Sequence, residues 1–134
     1  MKVVIVGGVA GGASAAARLR RLDENARIVM FERTGYVSYA NCGLPYYIGG
    51  VIKDREDLTL QTPQSFKERF DIDVRVLKEV VSIDRTAKKA AVRDLTTGAT
   101  YEESYYKLIL SPGARPVVPD AKESDSDKSS TVRT

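Results

Sequence analysis

The sequence predicts an α/β protein built on a parallel sheet with a small antiparallel β-meander inserted into it. Three observations carry that prediction. Lys2-Val3-Val4-Ile5-Val6 is a short apolar run leading straight into the glycine-rich stretch Gly7-Gly8-Val9-Ala10-Gly11-Gly12. An alanine-rich segment and a second apolar run, Arg27 to Glu32, follow at once. Beyond residue 73 come several short strand-like pieces separated by turn residues.

The elements are justified in order. A continuous apolar run bounded by glycine reads as a buried parallel strand, since both faces of such a strand are covered. Ala13 to Leu22 reads as a helix whose small side chains permit close packing on a sheet. Asp23-Glu24-Asn25 punctuates, and Arg27 to Glu32 is the second strand. Together these make a βαβ unit of about 30 residues. Arg33 to Gly50 is a glycine- and proline-rich loop with one helical turn after Cys42. Thr62 and Pro63 read as the N-cap and first residue of a helix through Phe70. Asp73 to Leu77, Val80 to Ile83, Ala90 to Val92 and Thr100 to Tyr106 read as the antiparallel meander, turning at Asp84-Arg85-Thr86-Ala87 and Thr96-Thr97-Gly98. Lys107 to Leu110 returns as an apolar strand, ended by Ser111-Pro112-Gly113-Ala114. From Asp120 the chain carries four acids, three bases and almost nothing to bury, and reads as a loose tail. The expected division is therefore residues 1–119 as the folded part and 120–134 as tail.

Composition excludes several functions. The chain has 134 residues, 43% apolar and 29% charged, one domain's worth of ordinary globular sequence. Its net charge of +3 is too mild to argue for nucleic acid. There is no histidine, which removes Ser-His-Asp catalysis and most zinc sites, so no metal is expected. The single cysteine, Cys42, has no internal disulfide partner and suits a reducing compartment. No apolar stretch approaches a membrane span and the N-terminus lacks a signal-peptide pattern, so a cytoplasmic location is expected.

The chemistry-bearing pattern is the glycine loop with its acid. The dinucleotide fingerprint is G-x-G-x-x-G between strand and helix, with a carboxylate about 20 residues on. Gly7 and Gly12 stand at its first and third positions, Val9 replaces the second glycine, and Glu32 closes the second strand. Backbone N–H groups at a helix N-terminus bind a pyrophosphate, and the carboxylate accepts hydrogen bonds from a ribose hydroxyl. An acid there disfavours a 2′-phosphate. Ser14, Arg18 and Arg21 share one helix face at i, i+4, i+7, a stripe that suits a phosphate-bearing ligand; spacing alone favours an ordinary solvated face. Arg20 points elsewhere and reads as surface. Cys42 lies among Ser38, Asn41 and Gly43, polar and small neighbours that a purely packing thiol does not need. Ser111-Pro112-Gly113-Ala114 either brings backbone close to a cofactor or simply ends a strand. Tyr46-Tyr47 and Tyr105-Tyr106 could stack on rings, with partly buried structural roles favoured for the second pair.

These stretches resemble the N-terminal part of the coenzyme A-disulfide reductase group of the FAD-dependent pyridine nucleotide-disulfide oxidoreductases. The matching segments are Val4 to Ala17, Phe31-Glu32-Arg33, Ser38 to Tyr46 and Leu108 to Ala114. The cysteine motif is specific to the group; the other segments are shared across the superfamily. The resemblance implies a Rossmann-like FAD-binding domain, incomplete relative to the family. It implies FAD held by Gly7, Gly8, Val9, Ala10, Gly11, Gly12, Glu32, Arg33, Ser111, Pro112 and Gly113. It implies Cys42 as the redox residue, alternating between thiolate and a mixed disulfide with coenzyme A, with Ser14, Arg18, Arg21, Ser38 and Asn41 on the coenzyme A side. An NADH site and a homodimer belong to the parent protein, so the chain reads as a fragment expected to bind FAD weakly or not at all and not to turn over NADH. Two other readings stay open: an NADH oxidase or peroxidase working through a cysteine sulfenic acid, and a non-catalytic nucleotide-binding module.

Overall fold

A computed structural model describes residues 1–117; the expected tail at 120–134 lies outside the described residues. In chain order the elements are β1 (Lys2–Val6), α1 (Ala10–Leu22), β2 (Arg27–Glu32), a 3-10 turn (Asn41–Gly43), α2 (Leu44–Ile48), a second 3-10 turn (Arg55–Leu58), α3 (Pro63–Phe70), β3 (Ile72–Val76), β4 (Lys78–Asp84), β5 (Lys89–Asp94), β6 (Thr100–Ser104) and β7 (Lys107–Leu110).

Four strands form a parallel sheet in the order β3-β2-β1-β7. The remaining three form an antiparallel sheet, β4-β5-β6. The strand period of two decides the layering. From one face of the parallel sheet Val3, Ile5, Ile28, Met30 and Ile72 pack with Ala13 and Ala16 of α1 and Phe66 of α3. From the other face Val4, Val29 and Phe31 pack with Val92 of β5, flanked by Val80, Tyr101, Tyr105 and Leu108. The result is three layers: helices, parallel sheet, antiparallel sheet. A buried Val, Ile or Phe contributes roughly 1.5–3 kcal/mol relative to exposure, and β1 and β2 are almost wholly buried because both faces are covered.

The expected bounds of β1, β2, α3 and β7 agree with the structure. At α3 the reason is visible: Thr62 Oγ1 accepts the Ser65 N–H at 3.1 Å, and Ser65 Oγ accepts the Thr62 N–H at 2.9 Å, a reciprocal cap. Four readings need correction. Helix α1 begins at Ala10, not Ala13, because Gly11 and Gly12 are helical and serve close packing. The strand expected at 73–77 runs Ile72–Val76 and pairs parallel with β2, so it belongs to the main sheet and the meander has three strands. The last meander strand stops at Ser104; Tyr105 packs in the second core while Tyr106 is 57% exposed beside Lys88 and Lys107. Arg20 is structural: its guanidinium donates to the carbonyls of Phe70 at 2.7 Å and Asp71 at 3.0 Å, and to those of Asp23 and Glu24, tying the end of α1 to the end of α3.

The two sheets are also pinned by charge. Glu103 of β6 is buried and accepts from both Lys2 of β1 and Arg75 of β3. Arg75 pairs in turn with Asp73 at 2.7 Å and lies over the Phe31 ring. Among the described residues no helix is long and apolar enough to cross a membrane, and no cluster of His, Cys, Asp or Glu could hold a metal ion.

Candidate nucleotide-binding cleft

The sheet order puts the site where it is. From β1 the chain crosses to β2 on one side, while β7 lies on the other, so a crevice opens at the carboxyl ends of these strands. A cleft of about 680 Å³ occupies it, with Val6 at the end of β1 and Gly7 just after it, Phe31 and Glu32 from β2, and the segment after β7 from Ser111 to Pro116 in its walls.

The glycine loop contributes Gly7 and Val9 to the lining. Gly7 has φ +94°, a conformation other residues rarely adopt, and a side chain there would also strike the Ser111 carbonyl oxygen. A side chain at Gly12 would strike the Gly7 carbonyl. These two glycines therefore let the start of α1 lie directly on the end of β1. A Cβ on Gly11 would come within 3.0 Å of Ser111 Oγ, and the Ser111 N–H donates to the Val6 carbonyl at 2.7 Å, so the turn after β7 packs flush on the loop. Val9 is the N-cap of α1; no side chain caps the helix and its first turn carries no acid. The opening N–H groups of the helix are thus left with no side-chain acceptor at the positive end of its dipole.

Glu32 ends β2 and is 6% exposed. Its Oε2 accepts the Gly8 N–H at 2.8 Å and its Oε1 accepts the Thr34 N–H at 2.9 Å. The carboxylate thus ties the glycine loop to the chain leaving β2, and each oxygen keeps a second lone pair at the cleft wall. Arg33 beside it is exposed and lines the same wall. An uncapped helix N-terminus, glycines that admit no Cβ and a carboxylate in one cleft fit the phosphates and ribose of a dinucleotide.

Of the residues expected to hold the nucleotide, Gly7, Val9, Glu32, Arg33, Ser111, Pro112 and Gly113 line the cleft. Gly8, Ala10, Gly11 and Gly12 are not among its lining residues: Gly8 and Gly12 are buried, and Ala10 and Gly11 are exposed at the start of α1. Lys78, Glu79, Val80 and Arg115 also line it and were not anticipated. Arg115 directly follows the Ser111–Ala114 stretch, whereas nothing local marks Lys78 to Val80; the packing of the antiparallel sheet on the parallel one brings the start of β4 to this wall.

Cys42 is exposed, at the centre of the 3-10 turn Asn41–Gly43. Asn41, its neighbour in sequence, lines the cleft; Cys42 itself is not among the lining residues. The segment is anchored to the glycine loop by the Ser38 N–H, which donates to the Gly8 carbonyl at 2.8 Å, with Ser38 in the left-handed region at φ 49°. Gly8 is therefore held through its N–H by Glu32 and through its carbonyl by Ser38. Ser14, Arg18 and Arg21 are exposed on α1, and none of their side chains is in a hydrogen bond or ion pair with another described residue. Their helix is the one whose N-terminus meets the cleft, but the stripe itself runs outside it. Tyr46, at 59%, and Tyr47 are exposed on α2.

Known proteins are similar to this chain in sequence and fold. The family model described as pyridine nucleotide-disulphide oxidoreductase matches residues 1–134. A coenzyme A disulfide reductase of Staphylococcus epidermidis is 45% identical over 132 residues, covering 98% of this chain and 30% of that protein. The solved structure of reduced Bacillus anthracis CoADR-RHD is 58% identical with a TM-score of 0.86, covering 89% of this chain and 21% of that one. A water-forming NADH oxidase from Lactobacillus brevis, solved with NADH, is 32% identical with a TM-score of 0.86, covering 96% of this chain and 28% of that one. The chain thus spans less than a third of the length of the curated relatives it matches.

Proposed function

Because the chain belongs to the pyridine nucleotide-disulphide oxidoreductase family, we propose that residues 1–119 are the N-terminal part of an FAD-binding domain. The protein it belongs to reduces coenzyme A disulfide or related persulfides with NADH, through the single thiol of Cys42. FAD, when bound, supplies the path for an electron pair between a nicotinamide and a sulfur. The loop Gly7–Gly12 and the start of α1 hold its phosphates, Glu32 and Arg33 its adenosine end, and Ser111 to Gly113 close over it. Ser14, Arg18, Arg21, Ser38 and Asn41 hold coenzyme A, whose phosphates suit two guanidiniums on one helix face. A homodimeric, cytoplasmic parent completes the reading; the 134-residue chain by itself does not turn over NADH.

The residues of this chain supply the sulfur chemistry. The Cys42 thiolate attacks one sulfur of the disulfide, the original S–S bond breaks, and one coenzyme A leaves as its thiolate while the other stays on Cys42. Asn41 precedes that cysteine directly in the chain, and the backbone of Ser38 ties the cysteine segment to the glycine loop.

One observation carries the reading: the sole cysteine is exposed on a turn whose neighbour Asn41 forms part of the same cleft as Glu32 and the glycine loop. The test is mass spectrometry after incubation with coenzyme A disulfide. A coenzyme A adduct on Cys42, abolished in Cys42→Ser, is expected; a wild-type chain left unmodified overturns the substrate assignment. The likeness to the Lactobacillus brevis oxidase favours a second reading, in which Cys42 cycles through sulfenic acid. An oxygen adduct on Cys42 after peroxide, with no coenzyme A adduct, selects it. The exposed Ser14, Arg18 and Arg21 stripe favours the first reading, since a peroxide has no phosphates to bind.

A further inference from the structure

We propose that Leu58 is a positioning residue for the Cys42 thiol, acting through Gly43; the proposal rests on reading Cys42 as the sulfur that exchanges with a coenzyme A disulfide. Because the thiol is exposed, packing around the sulfur does not fix where it points. The turn beneath it does. The Gly43 N–H closes that turn on the Ala40 carbonyl at 2.9 Å. The turn is then zipped to residues 58–60: the Ala40 N–H donates to the Leu58 carbonyl at 2.8 Å, the Leu60 N–H donates to the Ser38 carbonyl at 3.1 Å, and Tyr39 and Thr59 form an antiparallel bridge between them.

The side chains show what sets the height of the turn. Cys42 is exposed while Gly43 next to it is buried, so the turn stands on Gly43. Gly43 has φ −82° and ψ −15°, angles any residue adopts, so glycine is needed there for space and not for conformation. The space is filled by Leu58, which is 1% exposed: a Cβ on Gly43 would lie 2.5 Å from Leu58 Cδ2 and 3.3 Å from Ile52 Cδ1. Glycine above and leucine below form a matched pair. A group added to Gly43 lifts the turn, and a group removed from Leu58 lets it sink. In exchange the Cys42 thiolate attacks one sulfur of coenzyme A disulfide, the Cys42–coenzyme A bond forms as the original S–S bond breaks, and coenzyme A thiolate leaves, so no other oxidant is consumed. That step needs the sulfur on line with the S–S bond, and displacement by about 1 Å can cost about 100-fold.

The experiment compares two rates in the 134-residue chain: adduct formation with coenzyme A disulfide, and alkylation by iodoacetamide. The second reports thiolate fraction and exposure without demanding alignment. Gly43→Ala is expected to slow coenzyme A exchange by about tenfold or more while alkylation changes by less than about twofold. Adding Leu58→Val, which shortens the side chain by one carbon by removing both δ-carbons and adding one γ-carbon, is expected to return exchange to within about threefold of the parent, the signature of a coupled pair that a general loss of stability does not give. Leu58→Ala removes the floor without adding bulk and is expected to slow exchange on its own. Parent-like exchange in both Gly43→Ala and Leu58→Ala overturns the proposal, as does a Gly43→Ala/Leu58→Val chain no faster than Gly43→Ala. If the parent exchanges with an aromatic disulfide but not with coenzyme A disulfide, the substrate reading fails, and the same ranking of variants with the aromatic reagent judges the positioning role separately.

Discussion

Glu32 Oε2 accepts the N–H of Gly8 at 2.8 Å, so the acid of the dinucleotide pattern holds the glycine loop that the pattern begins with. Its other oxygen holds Thr34, the start of the chain that leads to Cys42. One buried carboxylate thereby fixes two segments before any nucleotide is considered, and its removal has a structural cost separate from binding.

Glu32→Ala leaves the N–H groups of Gly8 and Thr34 without their acceptor. A buried donor left unsatisfied costs about 1–3 kcal/mol, so a loss of about 2–5 kcal/mol is expected in urea unfolding. Glu32→Gln keeps one carbonyl oxygen and is expected to fall between the parent and the alanine variant. An unfolding midpoint unchanged in both variants would show that the carboxylate does not hold the loop.

Acid weakens the junction of the two sheets. Burial by itself would raise the Glu103 carboxyl, but hydrogen bonds from Lys2 and Arg75, with their charges, outweigh it and hold the group below the ordinary glutamate value. A carboxyl depressed in the folded state contributes stability that is present above the unfolded value near 4.5 and is lost as pH falls through the lower folded value. Asp94, held down to about 2 by the Lys78 ammonium and by backbone N–H groups, acts in the same direction. Stability measured between pH 6 and pH 2 is expected to fall with acid less steeply in Glu103→Gln than in the parent. Equal slopes would remove Glu103 as a source of the acid sensitivity.

The arginines of α1 divide by role. Arg20→Met deprives the carbonyls at the end of α3 of a charged donor, and a loss of about 1–3 kcal/mol is expected. Arg18→Ala and Arg21→Ala remove exposed side chains, and their unfolding free energies are expected within about 0.5 kcal/mol of the parent. Under the proposed function the Arg18→Ala/Arg21→Ala pair slows adduct formation with coenzyme A disulfide, and the slowing shrinks as salt screens the phosphates. A double variant with parental exchange rates at low salt would detach this face from coenzyme A.

The amino-acid sequence determined the parts whose signal is local. The apolar runs of β1 and β2, the Thr62-Pro63 start of α3 and the glycine spacing are each written within a few residues, and their bounds could be read directly. The acid at Glu32 was legible as a cleft residue because its distance from the glycines is set by one helix and one strand. Tertiary structure alone decided that Ile72–Val76 joins the parallel sheet, since an alternating strand says which face it buries and not which neighbour it pairs with. It also decided that Lys78 to Val80 reach the cleft, that Arg20 caps a helix some 50 residues away, and that Leu58 lies under Gly43. Each of these joins segments distant in sequence, and such contacts exist only after the chain has crossed the sheet, so no pattern of neighbouring residues encodes them.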